Sequence, residues 1–373
     1  MSYDVITIDT CIFQSNGFEF SNGILAQLDQ FKEGSAEFVI SEIIYNELLK
    51  HISENIQKAK SRFQNVVTDG PKNALLNDEQ IATLKAVYDA TSTPEEAAKQ
   101  KLHAFMKKTG CKVVPAKDFD VQKLIDGYFK VEPPFEDTAN KKHEFPDAIA
   151  LLSLEKWATK HSKKILVITD DGGWAKYCST STQIDTSKDL PVALSLFQQR
   201  AAETATAINA LLALIDSDEG APVLLEQFED RLTDALGDLQ PDGDGNSYAD
   251  VDCDDVTLQL EEFEFISSAS DYGVTLVKTG VKKVVFRIKI SATAHASGTF
   301  NLSVYDSIDK DRVSLGSLNA EKKVTQKIEV LVEIEGDLDS KTPNEDIEIT
   351  NVEVLKGFEE INFGHIEPPS YEE

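Results

Sequence analysis

Several short apolar runs, each ending in a carboxylate, restrict this chain more than any other feature of its sequence. Val5-Ile6-Thr7-Ile8 leads into Asp9, and Ile165-Leu166-Val167-Ile168 leads through Thr169 into Asp170 and Asp171. Phe38-Val39-Ile40 leads through Ser41 to Glu42 and, further along, Glu47. Such runs are too short for helices and apolar on both faces, so they predict strands covered on both sides. Between them the spacing is helical: Ile24, Leu25, Leu28 and Phe31 share a face. Ser41 opens a helix predicted from Glu42 to about Lys60, with a cap and an acid in its first turn. Residues 74–90 and 94–109 predict two more, the second started by Thr93-Pro94-Glu95-Glu96. Lys112–Val114 reads as a short strand, 117–145 as irregular, and Asp147–Lys160 as an apolar helix. The alternation predicts an α/β domain over residues 1–191, a parallel sheet with helices on both faces.

The pattern then changes. Residues 192–238 read as helix, interrupted near Asp216–Pro222, and 240–247 as a linker by composition, so 192–247 is expected to be a helical connector and linker. From 248 to 367 apolar and polar residues alternate between Gly, Asn, Asp and Ser breaks, which predicts an antiparallel β-sandwich. The last residues, 368–373, read as a disordered tail. Asp242-Gly-Asp-Gly-Asn246 is not a calcium loop: it would put Ser247 and Cys253 where that loop needs Gly and Glu.

Charge separates the two halves. The chain of 373 residues carries a net charge of -28. Residues 1–200 hold 24 Lys and Arg against 28 Asp and Glu, a balance of -4, and the remainder holds 13 against 37, a balance of -24. A polynucleotide would be repelled by the second half and tolerated by the first. Cys11, Cys111, Cys178 and Cys253 are scattered without a CxxC pair, which argues for reduced thiols rather than a disulfide framework or a zinc site. No stretch approaches the length of a membrane span and no secretory signal is evident, so a cytoplasmic protein is expected.

In a sheet covered on both faces, ligands bind at the carboxyl ends of the strands. Asp9, Asp170 and Asp171 end strands there, Glu42 and Glu47 follow another, and Asp147 opens the helix before the fourth. Carboxylates gathered without a cation repel one another, and hard oxygen donors suit Mg²⁺ or Mn²⁺. Such an ion can activate water against a phosphodiester.

The motifs resemble the PIN domain, a fold of metal-dependent ribonucleases that includes bacterial toxins. The resemblance runs over about residues 3–190 through Ile6-Thr7-Ile8-Asp9-Thr10, Ser41-Glu42-Ile43-Ile44-Tyr45-Asn46-Glu47, Pro146-Asp147-Ala148-Ile149-Ala150 and Ile168-Thr169-Asp170-Asp171. It implies metal ligation and catalysis by Asp9, Glu47, Asp147 and Asp171, with Asp170 as the alternative to Asp171. The chain departs from compact members by the extra residues 60–112 and a long loop before Asp147. It is similar to larger PIN-like proteins with a β-rich C-terminal region. By resemblance alone RNA is preferred to DNA, and a toxin-like or anti-phage effector is one expected setting. A non-catalytic module that binds RNA or a protein is the alternative.

Other roles stay open at this point. Asp9 can cap a turn, Asp147 can cap its helix, and Glu42 can serve only the helix dipole. Glu42 and Glu47 stand about 140° apart around a helix. Glu42, His51 and Thr169 are candidates to support the ligands, and His51 shares a helix face with Glu47. Lys107, Lys108, Lys141 and Lys142 form a candidate track for phosphates. A protein partner at the acidic β-rich half and a homo-oligomer are further open readings.

Overall fold

A computed structural model describes residues 3–69, 77–89, 91–117, 119–137, 141–198, 201–217, 220–280, 282–308, 310–338 and 343–367. The 368–373 tail lies outside them. The chain forms two compact units, Met1–Phe197 and Gln198–Glu373.

The first unit begins with β1 (Val5–Ile8), α1 (Thr10–Ser15) and α2 (Gly23–Ala26), then β2 (Glu37–Ser41) and the long α3 (Glu42–Asp69). There follow α4 (Asp78–Asp89), α5 (Pro94–Thr109), β3 (Lys112–Val114) and α6 (Val121–Lys130). The unit closes with α7 (Phe145–His161), β4 (Ile165–Ile168), α8 (Gly172–Thr180), β5 (Ile184–Ser187) and α9 (Leu190–Ser195). The five strands lie in the order β3-β2-β1-β4-β5, and every pairing is parallel. All four residues of β1 and of β4 are buried between the helical layers, apolar in β4 and apolar but for Thr7 in β1.

Capping follows the sequence. Ser41 Oγ accepts from Ile44 N at 3.1 Å, and Thr93 and Glu96 form a reciprocal capping box. The stretch 117–145, expected to be irregular, contains α6: Asp120 caps it by accepting from the backbone of Gln122 and Lys123, and Leu124 supplies its buried anchor. The Asp-initiated helix was obscured by the flanking Pro133-Pro134 and mixed charge.

The second unit holds α10 (Ala201–Ile215), α11 (Pro222–Gly237), β6 (Asp242–Asn246), β7 (Asp250–Phe265), β8 (Thr275–Thr279), β9 (Lys283–Asp306), β10 (Asp311–Gly336), α12 (Pro343–Asp346), β11 (Ile347–Lys356) and β12 (Glu360–His365). An antiparallel sheet runs β11-β10-β9-β7 with β8 also on β9, as the alternation predicts. Its facing layer differs from the sandwich expectation. One core joins the sheet to α10 and α11, helped by Ile361 of the small β6–β12 pair. Leu224, Phe228, Leu232 and Leu236 of α11 are each 0 % exposed. A free connector would leave these side chains in water, at about 1.5–3 kcal/mol each, so the helices belong to this unit. The 240–247 stretch, a linker by composition, contains β6, paired in parallel with β12. β9 is one strand through Ser291–Gly298, because Ala292, Ala294 and Ala296 face the core and are fully buried. No helix among the described residues is long and apolar enough to cross a membrane.

Candidate active site

The parallel sheet brings the acids together at its carboxyl edge. Beyond β1, Asp9 N donates to Ile168 O at 2.9 Å, so Asp9 and Thr169 stand side by side as their strands end. Thr169, 1 % exposed, donates its hydroxyl to Asp9 Oδ2 at 2.6 Å. The Cys11 thiol donates to the same oxygen at 3.0 Å, and burial and the Asp9 charge push that thiol up to about 11, so it stays protonated. Asp9 is 6 % exposed. It stands at the N-cap position of α1, yet its carboxylate makes no capping bond.

Each of the other acids is also held by a neutral donor. Thr10, first in α1, donates to Glu47 Oε2 at 2.7 Å. Trp174 donates its indole N–H to Asp147 Oδ1 at 2.8 Å, and its backbone N–H to Asp171 Oδ1 at 2.8 Å. Thr169 Oγ1 accepts from Asp171 N at 3.0 Å, so one hydroxyl joins Asp9 to the Asp171 backbone. Asp147 does not cap α7: that position is Glu144, whose side chain accepts from Glu136 N at 2.8 Å.

The electrostatics show that the four acids share one neighbourhood. Burial pushes the Asp147 carboxyl up to about 6 despite the Trp174 hydrogen bond, and the charges of Asp9, Glu47 and Asp171 add to the rise. Among the described residues no Lys or Arg forms an ion pair with any of these four acids. Lys176 feels Asp171 but is engaged by Glu136.

The remaining candidates lie elsewhere or do other work. Asp170 is exposed, bonded to Lys188 at 2.9 Å, and that ammonium holds its carboxyl below the usual range. Glu42 accepts from Ala116 N at 2.9 Å and so ties α3 to the end of β3. His51 turns along its helix toward Glu54, at 3.5 Å. Lys107 and Lys108 are exposed in the last turn of α5, where they also complement the helix dipole. Lys142 is exposed in the turn before α7, and the Lys141 side chain lies outside the described residues.

Sequence reasoning missed Thr10, Cys11 and Trp174. The first two directly follow Asp9, and donors next to a strand-end acid are a usable signal. Trp174 is one of 2 tryptophans, placed in a first helical turn behind Gly172-Gly173. Gly173 fits closely there: a Cβ would meet Pro134 O at 3.0 Å and Asp171 Oδ1 at 3.1 Å, tighter than ordinary contact.

The donor chemistry suits a hard divalent cation: carboxylate oxygens only, partly desolvated and uncompensated by a basic side chain. Among the described residues no three His, Cys, Asp or Glu side chains form a ready-made metal cage. That does not conflict with magnesium, which keeps several waters and needs only one or two carboxylates. The residues present therefore fit such an ion.

Residues 6–174 match the family model described as a PIN domain. No curated protein and no solved structure matches the chain. The chain thus carries an N-terminal PIN domain, a nuclease-type module, followed by helices and an antiparallel β-rich region.

Proposed function

We propose that the PIN domain is a divalent-metal-dependent endonuclease that hydrolyses phosphodiester bonds, with RNA as its preferred substrate. One observation carries this reading: Asp9, Glu47, Asp147 and Asp171 are each held by a neutral donor with no ion-paired Lys or Arg among the described residues, and burial with three neighbouring carboxylates raises the Asp147 carboxyl accordingly. Ionised carboxylates without a counter-charge are costly in a partly desolvated site, and a bound cation removes that cost.

Of Asp9, Glu47, Asp147 and Asp171, one or two would ligate the ion directly and the others would act through its waters. When bound, Mg²⁺ or Mn²⁺ supplies an activated water and stabilises the leaving oxygen. The chain's own residues prepare the donors. Thr169 and Cys11 fix Asp9, Thr10 fixes Glu47, and Trp174 fixes both Asp147 and Asp171. Each contact engages one carboxylate oxygen through a neutral donor, so none of them neutralises the acids. Such supporting bonds hold a ligand's orientation. No side chain at the site is needed as a nucleophile. The preference for RNA rests on the family resemblance, since no residue described at the site reads a 2′-hydroxyl.

The test is incubation of the full chain with single-stranded RNA and DNA in Mn²⁺ and in Mg²⁺, alongside Asp9→Asn and Asp147→Asn. Loss of cleavage in both variants supports the site. Cleavage that survives both substitutions removes it. A wild-type protein that cuts neither polymer with either ion, yet binds RNA, turns the reading to a non-catalytic module.

A further inference from the structure

A second concavity in the first unit, of about 370 Å³, is formed by β3, the segment after it and the outer face of α7. Its walls include Phe119 and Trp157, with Lys156 and Lys160 at the rim. Ser153, Lys156, Trp157 and Lys160 are spaced i, i+3, i+4, i+7 and so share one helix face. Both lysines are exposed, and among the described residues neither has a hydrogen-bond or ionic partner. The half-buried Trp157 ring lies 4.9 Å from that of His161, and the Lys163 ammonium stands 5.6 Å from its centroid. Two uncommitted cations beside an indole and a phenyl are unusual in a chain with a net charge of -28. The volume falls within the roughly 300–1,000 Å³ of small-ligand sites.

The position matters as much as the composition. Val114 and Pro115 line the cavity where β3 ends, at the sheet edge that also carries Asp9. β3 lies two strands from β1 in the sheet order, about 10 Å at the usual strand spacing. Along α7, however, Trp157 and Lys160 follow Asp147 by ten and thirteen residues, about 15–20 Å at 1.5 Å per residue, so the cavity stands about four to six stacked nucleotides from the acids at ~3.4 Å each.

We propose that this cavity is a subsite for one nucleotide of a single-stranded nucleic acid, its base against Trp157 and Phe119 and its phosphates at Lys156 and Lys160. The proposal rests on the nuclease reading, because it supplies the grip on substrate that the acids at the metal site cannot. Lysines meet phosphate as point charges, and an aromatic platform accepts any base, so the subsite favours single strands without selecting a sequence.

The experiment measures binding of a short fluorescein-labelled single-stranded RNA to the full chain by fluorescence anisotropy in EDTA, across a salt series. Lys156→Gln/Lys160→Gln should lower the slope of log K against log salt by about 1.4, from about 0.7 per lost phosphate contact on a single strand. Trp157→Ala should weaken binding about tenfold, and Trp157→Phe should restore most of it. An unchanged slope and affinity in the exposed double lysine variant overturns the subsite. So does binding that an acidic peptide displaces as readily as RNA does. The two readings fail separately. RNA bound through these lysines by a protein that cuts nothing in Mn²⁺ leaves the subsite standing and removes the nuclease. Cleavage with unaltered binding in the lysine variant does the reverse.

Discussion

The two units use carboxylates in opposite ways. In the C-terminal sheet they meet cations on the strand surface: Glu329 accepts from Arg287 at 3.0 Å and lies 3.1 Å from Lys289, and Lys323 serves both Glu261 and Glu262. That half of the sequence carries -24, yet these acids are paired and partly solvated. In the N-terminal sheet the balance over residues 1–200 is only -4, but Asp9, Glu47, Asp147 and Asp171 gather with neutral donors and no ion-paired Lys or Arg among the described residues. Net charge therefore does not mark where acids stand without a counter-charge. Burial and the ion-pair pattern do, and Asp147 feels both its burial and three neighbouring carboxylates.

The largest effect that would break the comparison is loss of a proposed ligand. Asp9→Asn should lower the rate of RNA cleavage by more than ~100-fold, the upper end for residues that only support a metal ligand. A Glu329→Gln variant in the other unit provides the contrast, and activity there should remain within a few-fold of wild type. Single-turnover cleavage in Mn²⁺ measures both, and equal losses would erase the distinction.

The supporting donors should matter next. Thr169→Val keeps the branched shape at the end of β4 but removes the hydroxyl that joins Asp9 to the Asp171 backbone. Metal affinity, read by calorimetry, should fall about 10–100-fold, and Thr169→Ser should recover most of it. An affinity for Mn²⁺ that does not change in Thr169→Val would reduce Thr169 to a packing residue.

These predictions also show what the residues could and could not disclose. The short strands and their terminal acids were legible, because a period of two and a buried strand leave clear patterns. The partners of the acids were not, because Thr10, Cys11 and Trp174 acquire meaning only once β1, β4 and α8 are adjacent. The capping roles also depend on the folded arrangement: the Asp9 and Asp147 side chains do not cap helices, whereas Asp171 does, through one oxygen. In the C-terminal unit, the four-residue repeat of Leu224, Phe228, Leu232 and Leu236 was visible as helix. What covered it was not, since an amphipathic stripe does not name its partner.

A stability measurement sharpens the contrast from the opposite direction. The folded Asp147 carboxyl titrates at about 6 against an ordinary value of 3.8, so between these values the folded state binds more protons than the unfolded one. Metal-free wild type should therefore lose stability as pH rises from 4 to 7, by at most about 3 kcal/mol at ~1.36 kcal/mol per unit. Asp147→Asn keeps an acceptor for the Trp174 indole and removes the charge. At pH 7 it should melt higher than wild type by several degrees, and the two should converge below pH 4. Thermal unfolding of the two proteins in EDTA across this pH range checks the sign. A variant that melts lower at pH 7 would show that Asp147 is not an uncompensated carboxylate.

The smallest expected effect belongs to Asp170, the neighbour of Asp171 at the end of β4. Asp170 is exposed and already has a cation in Lys188, as the acids of the C-terminal sheet have theirs. Asp171 accepts the Trp174 backbone N–H on Oδ1 as the cap of α8 and, among the described residues, has no ion pair with a Lys or Arg. Asp170→Asn should change Mn²⁺ affinity less than about twofold, since exposed pairs of this kind contribute little. Asp171→Asn should weaken it at least as far as Thr169→Val does. Calorimetry on the two variants decides, and the reverse order would move the ligand to Asp170 and require Lys188 to give it up on binding.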